Sequence, residues 1–206
     1  HKAKNWKKSD EEWDQFETVQ KQREFYQRML GVVWPLLKPS GSLFCFGSYH
    51  NIFQCGDILQ TELQGKLINS ITWYKQNAMF SVTRSSLIES SESAIWVGKT
   101  KDFYFNYEAS KSFNNGQQLR NVWTSPITEN SERVGHPHQK PTWLYHRLIK
   151  IACPPDGFVL DPMCGSGTTA VVCESAGLKY LCMEKSEKYF QMAKERMANH
   201  PQPIAF

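Results

Sequence analysis

The 206-residue sequence contains no apolar run approaching the about 18 residues that a membrane-crossing helix needs, which removes helical integral membrane proteins from consideration. None of its six cysteines stands in a Cys-x-x-Cys pair. Most sit among apolar neighbours, as in Phe44-Cys45-Phe46 and Leu181-Cys182-Met183, so the thiols read as buried and reduced, as in a cytoplasmic protein. Charge of neither sign is in large excess: 24 Lys+Arg oppose 20 Asp+Glu for a net +4, which permits a nucleic-acid partner without demanding one. Internal repeats and low-complexity tracts are lacking, and 40% hydrophobic with 21% charged residues excludes a wholly disordered or collagen-like chain. An initiating Met is lacking too. Polar and basic residues follow His1, which is neither a signal peptide nor a natural start, so further residues upstream are expected.

What is present is a succession of short periodic segments. Apolar positions Phe16, Val19, Tyr26, Leu30, Val33 and Leu37 predict an amphipathic helix ended by Lys38-Pro39-Ser40-Gly41. Leu43 to Phe46 predicts a strand buried on both faces. A weaker helix covers Ile52 to Leu63, strands cover Leu67 to Tyr74 and Ala94 to Val97, and the polar stretch between those strands reads as a surface loop. Residues 98 to 135 interleave Phe103, Tyr104, Phe105, Tyr107, Phe113 and Trp123 with Lys99, Lys101, Lys111, Arg120 and several amides, with no helical period. From Trp143 regular alternation resumes: a helix to about Ala152, a strand from Phe158 to Leu160, a glycine turn, a helix to about Ala176, a strand from Tyr180 to Met183, and a helix from Glu187 to about Ala198. That β-α-β-α order predicts an α/β fold with a mainly parallel sheet covered by helices on both faces.

The glycine turn is Asp161-Pro162-Met163-Cys164-Gly165-Ser166-Gly167-Thr168-Thr169, directly after a predicted strand and opening a helix. Glycines allow a sharp turn and a close approach of ligand to backbone, while the helix start presents unpaired N–H groups. Nineteen positions after Gly165 stands Glu184, at the end of the next strand, where an acid accepts the ribose hydroxyls of an adenosine. Gly165-x-Gly167-x-x-Ala170 also satisfies the dinucleotide fingerprint, so the glycines alone do not separate NAD from other adenosyl ligands. Asp161 favours a cationic one: a carboxylate at the mouth of the turn repels a pyrophosphate but suits S-adenosylmethionine, with its ammonium and sulfonium. The bland alternative is a tight strand-to-helix turn with a capping acid.

A second segment, His136-Pro137-His138-Gln139-Lys140-Pro141, precedes the helix that leads into that strand. Its prolines stiffen it, and Lys140 is placed to meet a carboxylate such as the methionine end of that cofactor. No further Cys or His stands nearby to complete a metal site with His136 and His138, so no metal is expected. A rigid surface turn is the plainer reading.

Taken together, the box and the turn resemble the amino-methylating DNA methyltransferases of the β group. In these the order is a catalytic Asp-Pro-Pro-Tyr motif, a variable target-recognition segment, a His-Pro-x-Gln-Lys-Pro box, and last the cofactor turn. His136 to Pro141 matches the box and Asp161 to Thr169 the turn, with Met163 where Phe is commoner. Trp13-Asp14, Trp73-Tyr74-Lys75-Gln76-Asn77 and Arg120-Asn121-Val122-Trp123 match too, so the likeness spans nearly the whole chain. Ala78 and Phe80 depart from it, replacing prolines often found after the Lys-x-Asn element. The resemblance implies one catalytic domain over residues 1–206, with a Rossmann-like sheet, a circularly permuted motif order and a target-recognition insert at 99–135. It further implies transfer of a methyl from S-adenosylmethionine to an exocyclic amine of double-stranded DNA. Adenine N6 is chosen over cytosine N4 on family frequency.

Cofactor contacts are then expected from Asp161, Pro162, Met163, Gly165, Ser166, Gly167, Thr168, Glu184, Gln139 and Lys140. Lys2, Lys4, Lys7 and Lys8 suit phosphates, or else form a solvated tail, and Arg84 and Arg120 touch bases or backbone. Gln117, Gln118 and Arg120 are candidates for base reading, since amides pair with adenine and Arg with guanine. Phe103, Phe105 and Tyr107 are equally compatible with one buried face of an alternating strand. Asp-Pro-Pro-Tyr is absent, so the catalytic residues, and the strand that carries them, are expected upstream of His1. A bacterial or phage-encoded cytoplasmic enzyme follows, with a homodimer allowed for. Two other classes stay open, an NAD-binding oxidoreductase and a non-catalytic DNA-binding partner.

Overall fold

A computed structural model describes residues 16–78, 87–129 and 131–199. Helix α1 (Val19–Val33) starts where the Thr18 side chain accepts from Lys21 N at 3.1 Å, satisfying one of the unpaired N–H groups of the first turn. It ends sooner than its apolar pattern predicts, because Pro35 has no N–H to continue an α-helix and the chain tightens into a 3-10 turn at Trp34–Leu36. Strand β1 (Ser42–Gly47), helix α2 (Ile52–Asp57) with a π-helical extension at Ile58–Glu62, and strands β2 (Lys66–Lys75) and β3 (Ser91–Gly98) follow.

β3 runs antiparallel between β1 and β2, and a short strand β4 (Val122–Ser125) lies parallel on the far side of β2. The four-stranded sheet is therefore mixed rather than mainly parallel, because β3 pairs antiparallel with both β1 and β2. Alternation along β3 serves both faces. Ile95 and Val97 pack with Leu30, Trp34, Ile52, Ile58 and Leu59 from α1 and the α2 region, while Ala94 and Trp96 pack on the opposite side with Leu144, Leu148 and Ile151 of α4 (Thr142–Ala152).

A second sheet holds β5 (Phe158–Asp161) and β6 (Lys179–Cys182), parallel and in register, with Asp161 opposite Cys182. Helix α5 (Thr168–Ser175) crosses between them, and α6 (Glu187–Ala198) follows. Helix α4 bridges the two sheets. Its Ile149 packs with Val172 and Cys173 of α5, and its Tyr145 stacks on Phe46 of β1, ring centroids 5.6 Å apart. The four elements from β5 to α6 agree with the alternation in the sequence.

Three expectations change. β1 and β5 are half-exposed rather than covered, because each has one strand neighbour among the described residues. The stretch from Lys99 to Gly135 is not irregular throughout: it holds α3 (Tyr107–Ser112) and β4. Phe103, Phe105 and Tyr107 form no strand, since Tyr107 opens α3, and Phe105 and Tyr107 are exposed while Phe103 packs on the core. Of the six free thiols, Cys55 and Cys173 are buried and the other four half-buried.

Candidate cofactor site

Because β5 and β6 are parallel, their C-terminal ends open at the same edge of the sheet, and the chain leaving each can meet there. The ladder continues one step past the strands: Met183 N donates to Asp161 O and Cys164 N to Met183 O, both at 2.9 Å. Asp161 then organises the turn. Its carboxylate accepts from Met163 N at 3.1 Å and from the Thr169 hydroxyl, while burial pushes its pKa above the usual carboxylate range against the pull of those two bonds. The helix-capping role anticipated for this acid is not what it does: α5 starts from Gly167 with no side-chain cap, and Asp161 ties the turn to the Thr169 side chain instead.

Glu184 sits where its spacing predicts, beside Gly165. Its Oε2 accepts from Gly165 N at 2.9 Å and its Oε1 from Ser186 N at 2.8 Å. Each oxygen keeps a second lone pair, so the acid can still accept a hydroxyl on either side. At Gly165 a Cβ would stand 2.9 Å from His136 Nε2, so the His-Pro box closes directly onto the turn. His136 itself packs edge-on to Tyr189, centroids 4.3 Å apart.

Arg196 of α6, which the sequence reading did not single out, holds the turn. Its side chain is 7% exposed, and Nη1 donates to Ser166 O at 3.2 Å, Ser166 Oγ at 3.3 Å and Thr168 Oγ1 at 2.9 Å. Burial lowers its pKa, and Glu132, 3.9 Å away, acts in the opposite sense. A signal was available: Tyr189, Ala193 and Arg196 are the buried residues of α6, so a cation stands on the helix's apolar stripe.

The box is fastened to the same network. Thr168 Oγ1 donates to Lys140 O at 3.0 Å. Gln139 donates to Glu132 O at 2.6 Å and accepts from Val134 N at 3.0 Å, so both ends of its amide serve the loop. Glu132 in turn caps α4, accepting from Thr142 N at 3.0 Å and Thr142 Oγ1 at 2.7 Å. Lys140 Nζ pairs with Glu92 at 2.9 Å. Met163 is exposed and Pro162 half-exposed at the rim. A cavity of about 260 Å³ lined by Trp73, Lys75, Glu92, Arg133, His138 and Gln139 adjoins the box. Neither it nor the about 240 Å³ cavity beside His136 is lined by Gly165 or Glu184, so the cofactor assignment stands on the turn's geometry and donor set.

Of the residues expected at DNA, Gln117, Gln118 and Arg120 are exposed around the α3–β4 connection, away from the turn in sequence. Lys2, Lys4, Lys7, Lys8 and Arg84 lie outside the described residues, as do Trp13 and Asp14. Among the described residues no three His, Cys, Asp or Glu side chains gather as metal ligands, and no helix is long and apolar enough to cross a membrane.

An acid held beside a glycine turn and a carboxylate at the turn's mouth form an α/β unit of the kind that takes adenosyl ligands. The profile of the DNA methylase family matches residues 4–195. Two relatives, the type II methyltransferases M2.LlaDCHI of Lactococcus lactis subsp. cremoris and M2.DpnII of Streptococcus pneumoniae, are 34% and 32% identical over 191 residues, 90% of this chain and 71% of each relative. The crystal structure of an M1.HpyAVI–SAM complex superposes with a TM-score of 0.70 at 31% identity, covering 86% of this chain and 82% of that one. The cytosine-N4-specific PvuII DNA methyltransferase shares the fold at a TM-score of 0.75 and 18% identity, over 97% and 77%. The chain belongs to the DNA methylase family. Its activity is S-adenosylmethionine-dependent, site-specific methylation of DNA, in accord with the resemblance of box and turn.

Proposed function

We propose that the target is N6 of adenine in double-stranded DNA, and that the edge formed by Asp161, Gly165 and Glu184 holds the cofactor. The observation that carries the site is the Glu184 carboxylate 2.9 Å from Gly165 N, with a lone pair left on each oxygen for the ribose hydroxyls. Asp161 faces the cationic end, Lys140 the carboxylate, and Pro162 and Met163 the adenine. Ser166, Gly167 and Thr168, held by Arg196, form the floor, and Gln139 keeps the box in place. When bound, the cofactor supplies a methyl on a sulfonium. The choice of adenine over cytosine N4 rests on the family's commoner target.

An exocyclic amine is a weak nucleophile because its lone pair is delocalised into the ring, so catalysis needs acceptors for its hydrogens and a fixed line of approach to a base turned out of the duplex. We assign those acceptors to an Asp-Pro-Pro-Tyr segment on a strand between β1 and β5. Both strands are apolar and open on one edge among the described residues, and a parallel strand there would join the two sheets. The exposed part of 99–135 chooses the sequence, and Lys2, Lys4, Lys7, Lys8 and Arg84 add phosphate contacts. A cytoplasmic setting in a bacterium or a phage-infected cell is supported by the bacterial origin of the relatives, and sedimentation of the protein decides between a monomer and a homodimer.

The test has two parts. DNA from cells expressing the full-length protein is sequenced for modified bases: N6-methyladenine at one short site is expected, and N4-methylcytosine overturns the choice of base. Calorimetry of Glu184→Ala should show cofactor binding weakened by roughly 1–3 kcal/mol through lost charge-assisted hydrogen bonds. Unchanged affinity removes Glu184 from the site.

A further inference from the structure

Glu92, near the start of β3, belongs to no motif that the sequence singled out, yet it ties together two that were. β3 runs antiparallel to β2 with Glu92 opposite Trp73, which brings its side chain to the Trp73-to-Asn77 element. Its Oε1 lies 3.3 Å from Lys75 Nζ and its Oε2 2.9 Å from Lys140 Nζ, so one carboxylate joins that element to the His-Pro box. All three side chains are largely buried: Glu92 is 25% exposed and each lysine 16%. Burial alone would raise the Glu92 pKa, but Lys140 and then Lys75 outweigh it and hold the group below its ordinary value. Lys140 Nζ also donates to His138 O at 3.2 Å, which leaves one of its three N–H donors for a ligand. The triad carries a net single positive charge, and two of its members, Lys75 and Glu92, line the cavity of about 260 Å³ together with His138 and Gln139, the neighbours of Lys140.

A lysine ammonium on a four-carbon stem is mobile, and a ligand that must first order it loses part of its binding free energy. We propose that Glu92 is a positioning residue for the cofactor, holding the Lys140 ammonium in advance where the carboxylate of the methionine end arrives. This rests on the reading that Lys140 meets that carboxylate. Glu92 does not itself touch the cofactor, and it keeps Lys75 and Lys140 together without leaving two unbalanced cations side by side. The alternative, in which Glu92 competes with the ligand for Lys140, has the opposite sign: removing the acid would then tighten binding.

The readout is the ratio of affinities for S-adenosylmethionine and for its decarboxylated analogue, measured by calorimetry on the full-length protein. Glu92→Gln should lower that ratio by at least about threefold, since the ammonium loses its oriented partner. A merely structural role lowers affinity for both ligands alike and leaves the ratio unmoved, which overturns the proposal. A larger ratio overturns it too, in favour of competition. Lys140→Met should bring the ratio close to one; a ratio unchanged there removes the underlying reading of Lys140 and is seen separately from any effect at Glu92. If Glu92→Gln does not fold, Glu92→Asp keeps the charge but shortens its reach by a methylene: a reduced ratio supports the proposal and an unchanged one defeats it.

Discussion

From Phe158 to Ala198 each element packs largely on a neighbour in sequence: β5 pairs with β6, and α5 contacts α4, β6 and α6. From Lys99 to Gly135 the chain finds its partners far away. Tyr104 N donates to Ser40 O and Asn106 N to Ile151 O, each at 2.9 Å or less, and β4 lies beside β2 with Trp123 opposite Trp73. Both regions are anchored in the core, but only the first is anchored by contacts that repeat along the chain. Periodicity reports repeating contacts and is silent about single distant ones. The stretch expected to read DNA is accordingly two things at once: a framework of Phe103, Phe113, Leu119 and Trp123 packed on the core, and an exposed connection from Asn115 to Gln118 and Arg120.

That division is open to direct attack. Trp123 is 3% exposed, donates from Nε1 to Arg120 O at 2.6 Å, and lies under the Arg147 guanidinium, 4.9 Å from its ring centre. Trp123→Ala should destabilise the protein by about 3–5 kcal/mol in denaturant unfolding, the cost of emptying a large core site. A loss below about 1 kcal/mol would mean that the framework is not built into the core at all.

A smaller effect sharpens the contrast at two glycines of nearly equal conformation. Gly167 (φ +74°) caps α5, and a Cβ there would stand 2.9 Å from Ala193 Cβ; Gly116 (φ +79°) has nothing within 4 Å. Both substitutions to Ala incur left-handed strain of about 1–2 kcal/mol, and Gly167→Ala adds roughly 1–3 kcal/mol of overpacking against α6. Gly167→Ala is therefore expected to melt lower than Gly116→Ala and to weaken cofactor binding, which Gly116→Ala leaves alone. Equal melting temperatures would show that α6 yields easily and that the turn is not held by packing.

Much of the site was legible for the same reason that the β5–α6 unit was. Asp161, Gly165 and Glu184 are fixed by strand, turn and strand within one supersecondary unit, so spacing alone put Glu184 beside Gly165. Glu92 and Glu132 were not legible, because a lone acid carries no period, and their partners Lys140 and Thr142 stand 48 and 10 positions away. Arg196 was legible in principle as a cation on an apolar stripe. The mixed sheet was not: an antiparallel β3 and a parallel strand leave the same apolar pattern, so strand direction is not written in the residues of the strand.

The smallest change in stability belongs to the exposed connection. Gln117, Gln118 and Arg120 are exposed, and the backbone around them is held by Asn114 Nδ2 donating to Gln118 O at 2.7 Å, which their side chains do not share. Replacing all three by Ala should shift unfolding free energy by no more than about 0.5 kcal/mol per site. If this connection reads bases, the methylated sequence should nevertheless relax, because a bidentate amide or guanidinium contact discriminates where a phosphate contact does not. Replacing Lys2, Lys4, Lys7 and Lys8 should do the reverse, flattening the salt dependence of DNA binding while leaving the preferred site as it was. A preferred site that moves with the lysines and not with Gln117, Gln118 or Arg120 would assign sequence reading to the other end of the chain and leave 99–135 as framework alone.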